Sequence, residues 1–294
     1  MNAHENEPSS RDYSSISPSA KLVLLIKGLT DIPYARETAE LISQPGVFEP
    51  DTTNKDLAYW GSVVHLDARY KSIDQLLWNL PVKNILELSS GFSFRGLAAT
   101  QENNVHYIDT DLPELIRTKQ DLIAALPVDT LHAKGQLEIL PLNALDEAAF
   151  KAVVAHFGEG EIAIINEGLL MYLDRAEKAK LCQIVRGILK ERGGYWITAD
   201  IYIKLKHDLP ASARRSEMNE FAEKMQIREK MFDSFDDAEA FFKEQGFVID
   251  MEADGEEKNS AALKYLIASA TEEQLNYLKT GGKMRATWRL KLAE

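Results

Sequence analysis

Short apolar segments alternate with longer amphipathic stretches from residue 84 onward. A short apolar run between turn residues indicates a buried strand, and an apolar period of 3.6 residues indicates a helix. Such alternation is typical of a parallel sheet with helices on both faces. The pattern predicts strands at 84–90, 105–109, 137–142, 161–166 and 194–200, with helices near 94–101, 113–125, 145–156 and 174–190.

The segment before the first strand has a helical pattern. Its clearest apolar stripe is Ile73, Leu76, Leu77 and Leu80, which are spaced i, i+3, i+4 and i+7. Residues 44–51, with two prolines and a glycine, predict a loop between helices. We therefore expect an N-terminal helical cap over 16–80, preceded by a polar, disordered tail at 1–15.

The pattern changes after residue 200. Residues 203–232 are charged and rich in methionine, and they predict a helical insertion over the site. A helix near 236–245, a strand at 247–252 and a last strand near 283–292 then complete the sheet. The sequence thus predicts one α/β domain over 81–294, with an insertion at about 203–232.

Composition narrows the classes of function. The 294 residues are 45% hydrophobic, which is enough for one α/β domain with a cap. The 46 acidic and 34 basic residues give a net charge of −12, so a phosphate backbone would be repelled and nucleic acid is not an expected partner. No apolar run reaches the roughly 20 residues of a membrane span, and the polar start lacks the apolar centre of a signal peptide.

Cysteine and histidine add little chemistry. The single cysteine, Cys182, cannot form an internal disulfide and fits a reducing, cytoplasmic location. It follows the apolar period of the helix at 174–190, so we interpret it as a core residue. Only His207 lies near the predicted site. The other five histidines, His65 among them, lack ligand spacing, and no metal is predicted.

The turn after the first strand is the clearest ligand signal. Ligands of open α/β sheets bind beyond the carboxyl ends of the strands, and an acid about 20 residues after the turn glycine takes the ribose hydroxyls. Gly91 and Asp111 are 20 positions apart. The turn lacks the G-x-G-x-x-G of pyrophosphate sites and has aromatic residues instead. A nucleoside without phosphates fits better, and S-adenosyl-L-methionine is the commonest such cofactor.

Four segments together resemble the leucine carboxyl methyltransferase family, in particular its bacterial branch of polyketide-type O-methyltransferases. Their order and spacing match over roughly residues 16–200. The resemblance implies a Rossmann-like class I methyltransferase sheet of seven mostly parallel strands, the last one antiparallel, and S-adenosyl-L-methionine as cofactor. The segments are Ala68-Arg-Tyr-Lys-Ser-Ile-Asp74, Ile85-Leu-Glu-Leu-Ser-Ser-Gly-Phe-Ser-Phe-Arg-Gly96, Tyr107-Ile-Asp-Thr-Asp-Leu-Pro113 with Lys119 downstream, and Ile165-Asn-Glu-Gly-Leu-Leu-Met-Tyr-Leu173.

The resemblance also implies roles for single residues. Ser89 stands where much of the family has glycine, so its Cβ narrows the approach to the turn. The implied cofactor contacts are Lys21, Arg69, Glu87, Ser89, Gly91, Asp109, Asp111, Asn143, Ala144 and Glu167. The implied catalytic residues are Arg69, Tyr172 and Asp200.

Two of these residues also fit a purely structural role. Asp111 is expected to bind the ribose, yet a carboxylate there also suits the positive end of a helix opened by Pro113. Arg69 is expected to bind the carboxylate of the cofactor or of the acceptor, yet an exposed ion pair with Asp67 or Asp74 would equally explain it.

Three more residues leave alternatives open. Asn143 replaces the family's acid beside adenine and keeps one carbonyl acceptor for the amino group. Tyr172 either orients the acceptor or packs. Asp200 either contacts the acceptor or has a structural role, in helix capping or in loop solvation.

The sequence therefore predicts a small-molecule O-methyltransferase that acts by in-line displacement on a carboxylate or a hydroxyl. An ionised carboxylate needs no base, whereas a hydroxyl does. A nicotinamide-nucleotide oxidoreductase is disfavoured because the turn lacks phosphate-binding glycines. A non-catalytic cofactor-binding protein is kept open by Ser89 and Asn143. No oligomeric state is predicted.

Overall fold

The computed structural model describes residues 17–43, 57–129, 131–204, 223–280 and 282–294. The predicted tail at 1–15, the predicted loop at 44–51 and His207 lie outside the described residues, as does most of the insertion predicted at 203–232. Within the described ranges, no helix combines the length and the apolar character needed to cross a membrane.

Helices lead the chain and then alternate with strands. The first three helices are α1 (Ser17–Lys27), α2 (Ala35–Ile42) and α3 (Leu57–Leu77). The strands are β1 (Asn84–Leu88), β2 (His106–Asp111), β3 (Gln136–Pro141), β4 (Ile162–Asn166), β5 (Gly194–Tyr202), β6 (Phe247–Glu252) and β7 (Arg285–Leu292). The later helices are α4 (Arg95–Glu102), α5 (Pro113–Ala125), α6 (Glu147–Val154), α7 (Arg175–Arg192), α8 (Ile227–Lys230), α9 (Phe235–Glu244), α10 (Leu263–Ser269) and α11 (Glu272–Thr280).

The seven strands form one sheet in the order β3-β2-β1-β4-β5-β7-β6. Strands β1 to β5 pair in parallel, and β7 is antiparallel to both β5 and β6. The predicted fold class, a Rossmann-like α/β sheet of seven mostly parallel strands with the last one antiparallel, is confirmed. The strand order reverses between β1 and β4, and such a reversal is where open sheets bind ligands.

The central strands are apolar because both of their faces are covered. Every residue of β1 and β4 is buried, whereas the edge strand β3 is only partly buried. Polar residues appear where the central strands end, at Glu87 in β1, Asp111 in β2 and Asn166 in β4. Parallel strands bring these carboxyl ends to one edge of the sheet.

Helix α7 shows how local sequence sets an element. Asp174 and Glu177 form a reciprocal capping box at its start, which satisfies two backbone N–H groups. Its apolar face packs against the sheet, and Cys182 on that face is fully buried. Burial raises the pKa of the Cys182 thiol to about 12, so it stays protonated. The interpretation of Cys182 as a core residue is confirmed.

Helix α3 is shorter than its apolar stripe predicts. Ile73, Leu76 and Leu77 are buried in it, but the helix ends at Leu77 and Leu80 lies in the following turn. Pro81 disfavours helical backbone at the residue before it, which explains the early end.

An unpredicted insertion lies between β6 and β7. Its helices α10 and α11 cover the carboxyl edge of the sheet, and α10 packs on α3 through stacked rings of Tyr265 and Trp60, with centroids 4.7 Å apart. The insertion predicted at 203–232 contains the short helix α8. None of its described residues lines the cavity below α10 and α11.

Candidate functional site

A cavity of about 830 Å³ lies beyond the carboxyl ends of β1, β2 and β4. The turns that follow these strands line it, together with residues of α1, α3, α10 and α11. Its volume lies within the range of small-molecule and cofactor sites, roughly 300–1,000 Å³.

Most of the residues that the sequence assigned to a site line this cavity. Three do not: Lys21 is exposed on α1, while Asp109 and Asp200 are buried outside the cavity wall. Those that line it are Arg69, Glu87, Ser89, Gly91, Asp111, Asn143, Ala144, Glu167 and Tyr172.

The turn after β1 is built from two left-handed residues. Ser89 has φ 50° and Gly91 has φ 51°, and both face the cavity. Glycine adopts this conformation without cost, whereas a side chain is strained in it. A Cβ added at Gly91 would lie 3.7 Å from the Ala20 Cβ, an ordinary contact. Backbone conformation, more than space, therefore explains glycine at position 91, and Ser89 holds strain.

Asp111 ties β2 to this turn. Its Oδ2 accepts from the Gly91 amide at 2.7 Å, and its Oδ1 accepts from the Leu112 amide at 2.7 Å. Burial raises the pKa of Asp111, although these two hydrogen bonds oppose the rise. Each carboxylate oxygen has a second lone pair, so the group can still accept from a ligand. Ribose contact and stabilisation of the α5 start are thus compatible roles.

Asp109 lies below the cavity in a buried ion pair. Its Oδ2 is 2.8 Å from Lys119 Nζ, which also donates to Ser90 Oγ at 2.9 Å. Both ion-pair side chains are fully buried. Burial raises the pKa of Asp109, against the opposite effect of Lys119. Asp109 therefore supports the turn from beneath, and Asp111 is the acid of β2 that reaches the cavity.

Glu167, which follows β4, is surrounded by cations. Its Oε1 accepts from Lys27 Nζ at 2.6 Å and from Arg69 Nε at 3.1 Å, and its Oε2 accepts from Arg95 Nη2 at 3.1 Å. Burial raises the pKa of Glu167, but the charges of Lys27, Arg69 and Arg95 outweigh burial and bring the pKa to about 2. Glu167 is therefore ionised at neutral pH.

Lys27, which sequence reasoning missed, is the basic residue that α1 brings to the cavity. Lys21 lies six positions earlier on the exposed face, so the cofactor contact implied at Lys21 does not reach the site. The available signal in the sequence was a lysine directly after the apolar run Leu22-Val-Leu-Leu-Ile26. Burial lowers the pKa of Lys27, and the Glu167 charge opposes that shift.

The ion pair expected for Arg69 is different in the structure. Neither Asp67 nor Asp74 is its partner, because Asp67 pairs with Lys71 and Asp74 with Arg95. The Arg69 guanidinium instead contacts Glu167 and, through Nη1 at 3.3 Å, the Tyr202 hydroxyl. The exposed ion-pair alternative for Arg69 is therefore wrong.

Asp200 organises the loop after β4. Its carboxylate accepts from the amides of Gly168, Leu169 and Leu170 at 2.7, 2.7 and 3.0 Å, and from Asn166 Nδ2 at 2.8 Å. The side chain is almost fully buried and does not line the cavity. The geometry favours a structural role for Asp200, of the helix-capping kind, because its carboxylate accepts from successive backbone amides.

Other side chains on the cavity wall are held by neighbours. Glu87 accepts from the Tyr107 hydroxyl at 2.5 Å. Asn143 Oδ1 accepts from the Leu145 amide at 3.0 Å. The Tyr172 hydroxyl lies 3.4 Å from Ser19 Oγ on α1. Each of these three side chains thus has a partner within the protein.

His65 corrects the expectation that only His207 lies near the site. It lines the cavity from α3, and its Nε2 is 2.8 Å from the Tyr202 hydroxyl. Its position four residues before Arg69, on the same helix face, was the signal that could have found it. Burial lowers the pKa of His65 well below the usual value.

Comparisons with known proteins identify the fold. No family model and no curated protein matches the chain. A DUF574 family protein from Streptomyces avermitilis is similar in structure, with a TM-score of 0.53 and 14% identity over 94% of this chain and 97% of that one. The likeness shows a shared fold.

Two longer proteins are less similar. LepI in complex with SAM has a TM-score of 0.43 and 10% identity, and mitomycin 7-O-methyltransferase MmcR has 0.47 and 11%. The matches cover 76% and 80% of this chain but 46% and 56% of theirs. The chain thus spans about half the length of these two proteins.

Proposed function

We propose that the protein is an S-adenosyl-L-methionine-dependent methyltransferase that transfers a methyl group to an oxygen atom of a small-molecule acceptor by in-line displacement. Asp111 is the observation that carries this proposal. It ends β2 at the cavity, and it is hydrogen-bonded to the amide of Gly91, the left-handed glycine of the turn. A carboxylate in this place accepts from both hydroxyls of a ribose.

The residues around the cavity fit the other parts of the cofactor. Asn143 and Ala144, after β3, suit adenine, and the turn at Gly91 suits the methionine chain. Lys27 and Arg69 are the cations of the described wall that suit its carboxylate. When bound, the cofactor supplies a methyl group that its sulfonium already activates, so the protein's task is alignment and exclusion of water.

A dinucleotide fits this cavity less well. Pyrophosphate sites present several glycine amides and a helix N-terminus to the phosphates. Here Ser89 and Phe92 line the corresponding turn, and α4 does not begin until Arg95. A nicotinamide-nucleotide oxidoreductase is therefore the weaker candidate.

Calorimetry with two ligands tests the cofactor assignment. We expect S-adenosylhomocysteine to bind the purified protein and NAD to give no heat of binding under the same conditions. Mass spectrometry of ligand released on denaturation gives an independent check. Binding of the nicotinamide nucleotide but not of S-adenosylhomocysteine would refute the proposal.

A non-catalytic cofactor-binding protein is the remaining alternative, because Ser89 narrows the turn. An assay with labelled methyl donor and a panel of carboxylic and phenolic acceptors distinguishes a methyltransferase from a non-catalytic binding protein. Methyl transfer to any acceptor supports the enzyme. Tight binding of S-adenosylhomocysteine without transfer to any acceptor supports the binding protein.

A further inference from the structure

The cavity wall contains a hydrogen-bonded pair that the cofactor assignment leaves unused. His65 on α3 and Tyr202 at the end of β5 both line the cavity, with His65 Nε2 2.8 Å from the Tyr202 hydroxyl. Arg69 Nη1 lies 3.3 Å from the same hydroxyl. Because a guanidinium only donates hydrogen bonds, the hydroxyl oxygen accepts from Arg69 and its proton can point to His65.

The charges around His65 favour its neutral form. Burial lowers the pKa of His65 well below the usual value, and the positive charges of Arg285 on β7 and Arg69 on α3 lower it further. Glu167, after β4, acts in the opposite direction. A neutral imidazole has one nitrogen that accepts a proton. The same low pKa makes His65 a weak base, so its 2.8 Å contact with the Tyr202 hydroxyl and its place on the cavity wall, rather than its basicity, make it the group that can receive a proton there.

The positive charges of the cavity already have partners. Among the described lining residues, only Lys27 and Arg69 carry a fixed positive charge, and both contact Glu167. Under the proposed function, the carboxylate of the cofactor also lies against them. The other ionisable carboxyl groups on the wall include Asp111 and Glu273. An acceptor carboxylate would thus meet like charge without a cation of its own.

Much of the remaining wall is apolar. Leu57, Met171, Leu266, Leu278 and Met284 line the same cavity. An ionised group loses its hydration in such surroundings, and only a charged or hydrogen-bonding partner offsets the free energy that this costs. The wall therefore suits a ligand with an apolar body and a neutral polar group.

We propose that the acceptor is an apolar compound with a neutral hydroxyl group, and that Tyr202 and His65 take the proton of this hydroxyl. The proposal rests on the proposed methyltransferase function and deepens it by choosing hydroxyl over carboxylate. The acceptor hydroxyl donates to the Tyr202 oxygen, and the Tyr202 proton moves to His65 Nε2.

The step balances in atoms and charge. The bond between the methyl carbon and the sulfonium sulfur breaks, and its electron pair stays on sulfur. A bond forms between this carbon and the acceptor oxygen, while the acceptor proton ends on His65 through Tyr202. Arg69 stabilises negative charge that develops on the Tyr202 oxygen. The products are a methyl ether, a thioether and an imidazolium that returns its proton to water.

Binding of two matched probes tests the acceptor class. 2-Naphthol and 2-naphthoate have the same apolar body, and near neutral pH only naphthoate is ionised. For protein loaded with S-adenosylhomocysteine, we expect calorimetry to give at least about tenfold tighter binding of 2-naphthol. Tighter binding of 2-naphthoate, or binding of neither probe, overturns the proposal. If S-adenosylhomocysteine itself does not bind, the proposed function fails instead.

Substitutions then test the proton-accepting pair. We expect Tyr202→Phe and His65→Gln to bind S-adenosylhomocysteine as the unmodified protein does, yet to methylate 2-naphthol about 10²- to 10⁴-fold more slowly. Tyr195→Phe, on the same strand, and His132→Gln, at the exposed surface, are the matched controls and should leave the rate unchanged.

An acceptor that is already ionised separates proton transfer from positioning. At about pH 8, 4-nitrophenol has largely lost its proton and 2-naphthol has not. We expect the defects of both variants to shrink to less than about tenfold with 4-nitrophenol, because no base is then required. An equal defect with both phenols would assign Tyr202 and His65 a structural role only and overturn the proposal.

Discussion

At the scale of single residues, two acids of one strand show how position decides role. Asp109 and Asp111 lie two residues apart on β2, and both are buried. Asp109 is neutralised by Lys119 below the cavity, whereas Asp111 faces the cavity and accepts from two backbone amides. Of these two acids, Asp111 is therefore the one that can accept hydrogen bonds from a ligand in the cavity.

Substitution of Asp111 tests its role as ligand acceptor. We expect Asp111→Ala to weaken binding of S-adenosylhomocysteine about ten- to a hundredfold, since a lost hydrogen bond to a charged group costs about 1.5–3 kcal/mol. Cys182→Ala, in the core and away from the cavity, should leave the affinity nearly unchanged. Equal affinities of both variants, measured by calorimetry, would contradict the site assignment.

The left-handed backbone of Ser89 leads us to expect that its replacement by glycine stabilises the protein. Ser89→Gly relieves about 1–2 kcal/mol of backbone strain in the folded protein. It also gives the unfolded chain more conformational freedom, which lowers the free energy of unfolding by about 0.5–1 kcal/mol. We expect the free energy of unfolding to rise by up to about 1 kcal/mol in urea titrations. Gly91→Ala is the reciprocal control and should lower it. A loss of stability in Ser89→Gly would show that the serine side chain makes a contact worth more than the strain.

Single side chains were the hardest part of the site to predict. The strand ends at Gly91, Asp111 and Glu167 could be located from spacing, because a strand's carboxyl end fixes where its next residues lie. Lys27 and His65 were missed, although His65 shares a helix face with Arg69, because tertiary packing decides which face of α1 or α3 meets the cavity.

At the scale of elements, the loop after β4 depends on one carboxylate. Asp200 satisfies three consecutive backbone amides that would otherwise be buried without acceptors. The loop it holds includes Gly168 and leads to Tyr172, so its position sets one wall of the cavity. Asp200 is thus a positioning residue in this geometry.

Replacement of Asp200 by an isosteric amide separates positioning from acceptor contact. Asp200→Asn removes the charge and one acceptor oxygen, so we expect a loss of about 2–3 kcal/mol in the free energy of unfolding. Asp121→Asn, exposed on α5, is the matched control and should change stability by less than about 0.5 kcal/mol. Unchanged stability together with a raised KM for the acceptor would instead favour direct contact.

The elements themselves follow closely from the sequence, with one exception. Fully buried strands such as β1 and β4 have continuous apolar runs, so they were predicted within a few residues. Helices α10 and α11 were missed because they are short, and α10 is placed by its packing on α3, where Tyr265 stacks on Trp60. Much of their surface is exposed, so their apolar period is weak.

At the scale of the whole molecule, a buried charge network ties the N-terminal cap to the sheet. Glu167 follows β4, while its partners come from α1, α3 and α4. Four segments distant in sequence thus meet at one carboxylate. Removal of one partner of such a network leaves buried charge uncompensated, which typically costs about 3–5 kcal/mol.

The pKa of Glu167 predicts how this network responds to acid. The pKa of Glu167 in the folded protein, about 2, lies below the usual glutamate value of 4.5. The stabilisation by its charge is therefore complete above pH 4.5 and disappears as the pH falls towards 2. The difference corresponds to about 3 kcal/mol.

Urea unfolding at several pH values tests whether the stabilisation by the Glu167 charge is lost in acid. We expect Glu167→Gln to be less stable than the unmodified protein by about 3–5 kcal/mol near pH 7, and the gap to narrow below pH 4.5. Glu244→Gln, exposed at the end of α9, should show no such trend. A gap that stays constant with pH would mean that the Glu167 charge does not stabilise the fold.

The helices between β6 and β7 line the cavity from a part of the chain that is separate from the parallel strands. Under the proposed function, the donor is held by the strand ends and turns of residues 84–173 together with Lys27 and Arg69, whereas α10 and α11 line the same cavity from a later segment of about thirty residues. Substitutions in α10 and α11 can therefore change this part of the cavity wall without disturbing the parallel strands. If the proposed function holds, substitutions in α10 and α11 would change which acceptor fits while the donor site stays the same.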